Sequence, residues 1–347
     1  MTAEIAALLA VDGISSGAIY ALIAVGLVLI FSVTRVIFVP FGDIAALAAL
    51  TLAAFEQQKV PGTILLVAVL AVLASLVELA GLARRRRLAL APRAMAFMLL
   101  LPLAVALLGW AAAGAAWPAP VRVALSLLLV LPIAPLLDRL VFRPVADANV
   151  LLLMILAVAL HFALVGISLL FFGPEGVRTE PLAEWSLSYD DISVPGQVVL
   201  IVGAAVLFSL LLYGFFSFTL TGKALHATSV NRTGARLVGI RPGRAGTLAY
   251  LLGSVMAGVS GILISPVNTV FYDSGFLLGL LAFVAAIIGG LASYPLTTLG
   301  ALAVGLLGSF VSFYSSGFKE VLVFSLLIPV LLWRSLQAGH SEEDIEE

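Results

Sequence analysis

The feature that most constrains this chain is a succession of apolar runs, most of them long enough to cross a lipid bilayer. A helical crossing needs about 20 such residues. The second and ninth runs are short, so ten crossings remain an alternative to eleven. We therefore predict an all-α, polytopic integral membrane protein with about 10–11 transmembrane helices. The eleven segments are 8–33, 42–56, 62–82, 94–116, 121–141, 149–172, 197–219, 246–268, 276–292, 296–314 and 319–334.

The composition excludes several other classes of protein. Hydrophobic residues make up 62% of the 347 residues and charged residues only 11%, whereas soluble domains carry about 25% charged residues. The runs lack the strict alternation of transmembrane β-strands. The chain contains no cysteine, which excludes disulfides, thiolate metal sites and a cysteine nucleophile. Its three histidines, His161, His226 and His340, are scattered, so we expect no metal site and no cofactor.

The distribution of Lys and Arg predicts the orientation, because cytoplasmic connections are enriched in these residues. If eleven spans alternate from an outer N-terminus, 14 of the 18 basic residues fall on cytoplasmic connections. We therefore expect the N-terminus outside and the C-terminus inside. The chain is interpreted as one transmembrane domain over residues 1–337, followed by an acidic cytoplasmic tail over 338–347.

Two polar segments are long enough to fold outside the bilayer. Residues 173–196 are acidic and rich in turn formers, and they fall on the predicted outer side, where a compact cap or a short surface helix is expected. Residues 220–245 are basic and fall in the cytoplasm. Their apolar spacing suits two short helices joined near Asn231–Arg232.

The basic segment carries a specific resemblance. TGKALHATSVNRTGARLVGI, residues 221–240, resembles the coupling loop of permeases in the branched-chain amino acid family of ABC transporters. Ala235 and Gly239 fit the general permease frame, although Thr233 stands where glutamate is typical. By this resemblance, the residues expected to contact an ATPase are Gly222, Lys223, Ala224, Leu225, Asn231, Arg232, Ala235, Arg236, Gly239 and Ile240.

The resemblance covers nearly the whole chain. The opening segment DGISSGAIYALIAVGLVLIFSVTRVIFVPFGD is similar to the N-terminal segment of the family, although Val39-Pro40-Phe41 depart from the family's Phe-Ala-His. GSVMAGVSGIL and AFVAAIIGGLASYPLTTLGALAVGLL resemble its late spans. Residues 83–120, which include Arg84–Arg87 and an added apolar run, do not fit the usual layout and are an extra segment.

Small residues recur on two helix faces, at Gly13-x3-Gly17 and Gly253-x3-Ala257-x3-Gly261. Such faces allow close helix packing in lipid, which is the favoured interpretation. A narrow translocation path is the alternative, with Tyr20 offering it an aromatic wall. The candidate path residues are Gly13, Gly17, Tyr20, Gly253, Ala257 and Gly261.

Ionisable residues inside the predicted spans are few. Glu78 is expected to extend toward the cytoplasmic arginines. His161 lies near mid-span, where a hydrogen bond to a neighbouring helix is favoured over a proton relay. The absence of a chain of Asp, Glu and Lys argues against an ion-driven pump. The chain also has no phosphate-binding loop of the form G-x-x-x-x-G-K-[ST], so an ATPase would have to be a separate subunit.

The resemblance implies the membrane subunit of an ABC importer in the inner membrane of a bacterium or archaeon. Its implied partners are two ATP-binding subunits, a second permease subunit or a second copy, and an outside solute-binding protein that docks on residues 173–196. The substrate would be a branched-chain or related amino acid or a small amide. We expect membrane lipid around the chain, no nucleic acid partner and no catalytic residue. A stand-alone secondary transporter or channel is the main alternative, and a membrane-embedded enzyme is a weaker one.

Overall fold

The computed structural model describes residues 3–84, 92, 95–146, 148–189, 192–291 and 293–332. Most of this part is helical, which confirms the all-α, polytopic prediction. The helices are α1 (Ala3–Thr34), α2 (Phe41–Glu56), α3 (Thr63–Arg84), α4 (Leu101–Ala112), α5 (Ala119–Val130), α6 (Ile133–Leu137), α7 (Val150–Phe172), α8 (Gly196–Phe218), α9 (Leu220–Val230), α10 (Arg232–Leu237), α11 (Pro242–Ile264), α12 (Ser274–Ile288), α13 (Tyr294–Ser315) and α14 (Lys319–Ser325).

Shorter elements complete the description. A π-helical turn at Ala96–Leu100 precedes α4, and a π-helical turn at Asp138–Phe142 and a 3-10 turn at Arg143–Val145 follow α6. A 3-10 turn at Ser316–Phe318 leads into α14, and residues 327–332 are again helical. Two strands, β1 (Ser186–Tyr189) and β2 (Ile192–Pro195), pair antiparallel.

A helix lies at each of the eleven predicted places. Within the described residues, seven helical stretches are long and apolar enough to cross a membrane. Three helices at predicted spans are shorter than the 18 residues that this assignment requires. They are Ala96–Ala112, Ser274–Ile288 and the 16-residue α2. The number of crossings and the orientation of the termini stay predictions.

The last of the seven stretches, Tyr294–Leu332, contains two helical passes. Ser315 has extended backbone (φ −160°, ψ 94°), which ends α13. The Lys319 side chain then lies 3.3 Å from the place that a Cβ atom on Gly308 would occupy. The chain therefore turns back at residues 315–318, between the two predicted segments 296–314 and 319–334.

Helix α1 is the centre of the bundle and packs against α13, α11, α12 and α8. Its glycines make these contacts close. A Cβ atom on Gly17 would lie only 2.8 Å from the Leu302 Cα atom of α13, and one on Gly305 would lie 2.3 Å from the Gly17 nitrogen. Because lipid does not drive helices together by the hydrophobic effect, van der Waals contact of this kind supplies the association energy.

Two short helices begin inside the bundle and not at its surface. The Phe41 ring at the start of α2 lies against Gly26, which is eight residues, or about 12 Å, before the end of α1. The first turn of α12 meets the same place, since Gly275 contacts the backbone of Gly42 and Asp43. The connecting backbone is non-helical here, which membrane proteins tolerate where it is buried in protein.

Helices α3, α7 and α8 form the periphery. Only 33%, 22% and 17% of their most apolar windows are buried, compared with 83% for α1. Large apolar side chains such as Phe162 and Leu170 on α7 and Leu210 on α8 point away from the bundle. These outward faces are exposed in the described part of the chain.

The acidic segment 173–196 contains a hairpin where a surface helix was one of the two expectations. Ser186 pairs with Pro195 and Leu187 with Val194. The preceding residues attach this segment to the end of α11, through backbone pairing of Val177 with Val270 and a 2.6 Å hydrogen bond between the Thr179 and Ser265 hydroxyls. The surface-helix alternative was wrong, and the alternating polar and apolar residues of SLSY explain the strand.

Candidate coupling surface and translocation path

The basic segment folds as the two predicted short helices, and side-chain caps define their ends. The Thr219 hydroxyl accepts a hydrogen bond from the Gly222 amide at 2.9 Å, which begins α9. The Asn231 side chain accepts one from the Gly234 amide at 2.8 Å and begins α10. Asn and Thr are preferred N-cap residues because their oxygens satisfy free amides of the first turn. The junction at Asn231 is therefore encoded locally.

Gly239 ends the second short helix. Its φ is +84°, the left-handed conformation that glycine adopts without strain. The Ile240 amide donates to the Ala235 carbonyl at 3.0 Å and the Gly239 amide to the Arg236 carbonyl at 3.1 Å. This arrangement is a Schellman-type C-cap, and it gives Gly239 a structural role in the shape of the segment.

The ten predicted coupling residues divide between two faces. Gly222, Leu225 and Ala235 are buried. Lys223, Arg236 and Gly239 are exposed, and the neighbouring apolar side chains of Leu237 and Val238 are 84% and 75% exposed. Ala224 and Ile240 are intermediate, Asn231 is exposed, and the side chain of Arg232 lies outside the described residues. The pattern leaves a mixed apolar and basic face exposed among the described residues.

This segment is held against the central helix. Arg35, which follows α1 and has a φ of +62°, donates a hydrogen bond from its Nη2 atom to the Ser229 carbonyl at 3.2 Å. A cavity of about 540 Å³ lies between the end of α1, helix α9 and the start of α13. It is lined by Arg35, His226 and Tyr294, among others. The segment after α1 is therefore in direct contact with α9.

The candidate path residues lie at helix contacts. Gly13 and Gly17 face α13, and a Cβ atom on Gly253 would lie 2.8 Å from the Ile30 side chain of α1. Ala257 is fully buried, and a Cβ atom on Gly261 would lie 1.9 Å from the Ala45 carbonyl oxygen of α2. Tyr20 is 6% exposed within α1. The small residues make close packing, and their place in a path stays a prediction.

A buried ionisable pair lies where the two short inner helices begin. His161 Nδ1 on α7 is 2.7 Å from Asp43 Oδ2 on α2, and both side chains are about 95% buried. The His161 ring also stacks on Phe276, with ring centroids 4.8 Å apart. The expected bond from His161 to a neighbouring helix is thus present, and its partner is an aspartate.

Sequence reasoning missed Asp43 as an intramembrane residue, because it lies at the start of a predicted span, where the chain was expected near the surface. The buried turn before α2 is what moves it inward. The only clue in the sequence was the proline-containing stretch Val39-Pro40-Phe41, which departs from the family pattern next to Asp43.

Glu78 forms an ion pair with Arg139 after α6, where the sequence led us to expect the arginine run that follows α3. The arginine run itself lies outside the described residues beyond Arg84. On the opposite side, Arg122 at the start of α5 lies 3.4 Å from Glu180 and 4.0 Å from Glu56. These contacts connect the acidic segment 173–196 to α2 and α5.

Comparison with known proteins gives the family. The family model described as "branched-chain amino acid transport system / permease component" matches residues 9–331. The chain is 30% identical over 205 residues to the high-affinity branched-chain amino acid transport system permease protein LivH of Escherichia coli, covering 56% of this chain and 66% of that one. The LivH of Salmonella typhimurium gives the same identity and coverage.

BraD of Pseudomonas aeruginosa, a permease protein of the same kind of system, is 28% identical over 207 residues, which is 57% of this chain and 67% of BraD. The matched part thus spans about two thirds of the length of these relatives. No solved structure is significantly similar to the chain. The family is a transport permease component and not an enzyme. Because its model matches nearly the whole length, this chain belongs to the branched-chain amino acid transport system permease family.

Proposed function

We propose that the chain is the membrane-spanning subunit of an ATP-driven importer for branched-chain or related amino acids or small amides. It works in the inner membrane of a bacterium or archaeon with two ATP-binding subunits, a second permease subunit or a second copy, and an outside solute-binding protein. The observation that carries this proposal is the exposed face of α9 and α10, which Asn231 and Gly239 shape and which Arg35 connects to α1.

The coupling step is argued from the faces of these two helices. The buried residues Leu225 and Ala235 fix the segment to the bundle, and the exposed Leu237 and Val238 remain for another protein. An apolar centre with basic residues around it is typical of a protein interface. ATP-driven closure of the ATP-binding subunits moves α9, and the Arg35–Ser229 contact passes the movement to α1.

The test is co-purification of the ATP-binding subunits with the chain. Leu237→Asp combined with Val238→Asp is expected to abolish co-purification and uptake while the chain stays folded. Val60→Asp, at a 57% exposed apolar position in the connection between α2 and α3, is the matched control. Gly239→Trp is expected to have the same effect as the double variant. Normal co-purification and uptake in both coupling variants would contradict the proposal.

The orientation is tested separately. Because the chain has no cysteine, single cysteines report the side of the membrane without background. A cysteine at Glu184 is expected to react with an impermeant thiol reagent in intact cells, and one at Ser229 only after permeabilisation. The reverse pattern would place the acidic segment inside and remove its assignment to the solute-binding protein.

The path is proposed to open where α1 separates from α11 and α13, because the contacts of Gly17 and Gly253 are closed in this structure. Tyr20 is then a residue of the path wall. Tyr20→Phe keeps the ring and Tyr20→Ala removes it, and a path residue changes uptake per assembled complex or substrate preference. If Tyr20→Ala lowers only the amount of protein in the membrane, Tyr20 is an anchor.

A stand-alone, proton-coupled transporter is the second candidate, and the buried Asp43–His161 pair is the observation that favours it. Ionisable residues inside membranes frequently serve ion coupling. Proteoliposomes distinguish the two functions. Uptake that needs ATP and ATP-binding subunits and survives a protonophore supports the importer, whereas uptake by the chain alone that a protonophore abolishes supports the second candidate.

A further inference from the structure

A basic groove lies where α3 leaves the bundle, next to the extra segment that sets this chain apart from the usual family layout. It has a volume of about 590 Å³. One wall is the last turns of α3, with Glu78, Gly81 and Arg84, and the other is the irregular stretch after α6, with Arg139 and Arg143. The groove is large enough for a phosphate-bearing headgroup, since small-molecule sites measure about 300–1,000 Å³.

The charge of the groove is positive. Three arginines and one carboxylate line it. That carboxylate belongs to Glu78, which forms an ion pair with Arg139. Among the described residues, neither Arg84 nor Arg143 forms an ion pair. Basic pockets between membrane helices are typical of sites for anionic lipid headgroups.

The surface beside the groove is apolar and is exposed within the part of the chain that the structure describes. Leu73, Leu76 and Val77 on the outward face of α3 are 46%, 57% and 45% exposed. A phospholipid matches both the basic groove and the apolar face of α3, because its phosphate contacts the guanidinium groups while its acyl chains cover this face. A free phosphate ion matches only the groove. Guanidinium groups suit phosphate well, since they donate paired hydrogen bonds.

We propose that the groove formed by Arg84, Arg139 and Arg143 binds the phosphate group of an anionic phospholipid, whose acyl chains lie on the outward face of α3. The end of α3 is thereby fixed to a charged lipid. This inference does not depend on the transported substrate or on the ATP-binding subunits.

The experiment uses the full chain in nanodiscs of phosphatidylcholine with increasing fractions of phosphatidylglycerol. The Tm is expected to rise with the anionic lipid. In Arg84→Gln combined with Arg143→Gln, binding of the anionic lipid is expected to weaken about 30-fold, so that most of the rise in Tm is lost, since each basic residue contributes about 1 kcal/mol to binding an anionic surface. Lys59→Gln combined with Lys319→Gln removes the same charge outside the groove and is expected to keep the response.

Two further arms complete the test. Arg84→Lys combined with Arg143→Lys retains the positive charges and is expected to keep most of the response, which separates lost binding from poor folding. Inorganic phosphate added to pure phosphatidylcholine discs is expected to leave the Tm unchanged. An unaltered response in the double glutamine variant would overturn the proposal, and so would protection by inorganic phosphate equal to that by phosphatidylglycerol.

Discussion

The central helix α1 and the peripheral helix α8 have nearly the same mean hydropathy, 2.3 and 2.6, yet 83% of one apolar window is buried and only 17% of the other. Hydropathy therefore identifies membrane helices without saying where they lie. The difference lies in what the glycines meet. Gly13 and Gly17 of α1 face the backbone of α13, whereas Gly203 and Gly214 of α8 have nothing within 4 Å of a would-be Cβ atom.

The strongest test of this comparison inserts a side chain at a closed contact. Gly17→Val on α1 would place a Cβ atom 2.8 Å from the Leu302 Cα atom of α13, and backbone cannot move aside as a flexible side chain can. We expect a loss of more than about 5 kcal/mol and no folded protein. Folded yield by size-exclusion chromatography is the measurement. Gly203→Val on α8 is the control, and equal damage from both would show that burial does not separate the two helices.

The buried Asp43–His161 pair is the next largest effect. Asp43→Ala leaves the His161 ring without its hydrogen-bond partner in the core, and a buried polar group left unpaired costs about 3 kcal/mol. The control is Glu180→Ala, which removes a carboxylate that is 78% exposed and contacts Arg122, for an expected cost of about 0–1 kcal/mol. Urea or thermal unfolding in detergent compares the two. A loss below 1 kcal/mol in Asp43→Ala would contradict a role of the pair in stability.

Exposed leucines sharpen the comparison at the surface. Leu207 lies near the middle of α8 and is 54% exposed, and Leu237 in the coupling segment is 84% exposed. Leu207→Asp is expected to cost about 3 kcal/mol, because its carboxylate enters lipid, whereas Leu237→Asp is expected to stay within about 0.5 kcal/mol, because it faces water. Membrane insertion assays measure the two costs. Similar costs for Leu207→Asp and Leu237→Asp would show that both side chains lie in the same environment, either lipid or water.

The smallest expected effect concerns backbone conformation. Gly239→Ala forces a φ of +84° on a residue with a Cβ atom, at a cost of about 1 kcal/mol. Gly214→Ala on α8 meets open space in an ordinary helix, and we expect no loss or a slight gain. Thermal unfolding compares the stability of the two variants. If Gly239→Ala stabilises the protein, residue 239 does not need its positive φ and the C-cap can adopt another conformation.

Much of the local structure was predictable. Each apolar run became helix because a chain in lipid must satisfy its backbone hydrogen bonds within the segment. The two short coupling helices and their junction at Asn231 followed from capping residues close in sequence. The hairpin at Ser186–Pro195 was not predicted as such, since short polar segments carry a weak pattern and its pairing depends on contacts with the end of α11.

The sequence by itself determined the membrane class, the positions of the helices and the family, because hydropathy, capping and motif spacing are local properties. The tertiary structure decided that α1 is central, that α2 and α12 begin inside the bundle, and that Asp43 pairs with His161. Those two residues are 118 positions apart, and the glycine contacts of α1 with α13 join the two ends of the chain. Which faces of equally apolar helices meet depends on steric fit between distant segments, and no local pattern contains that information.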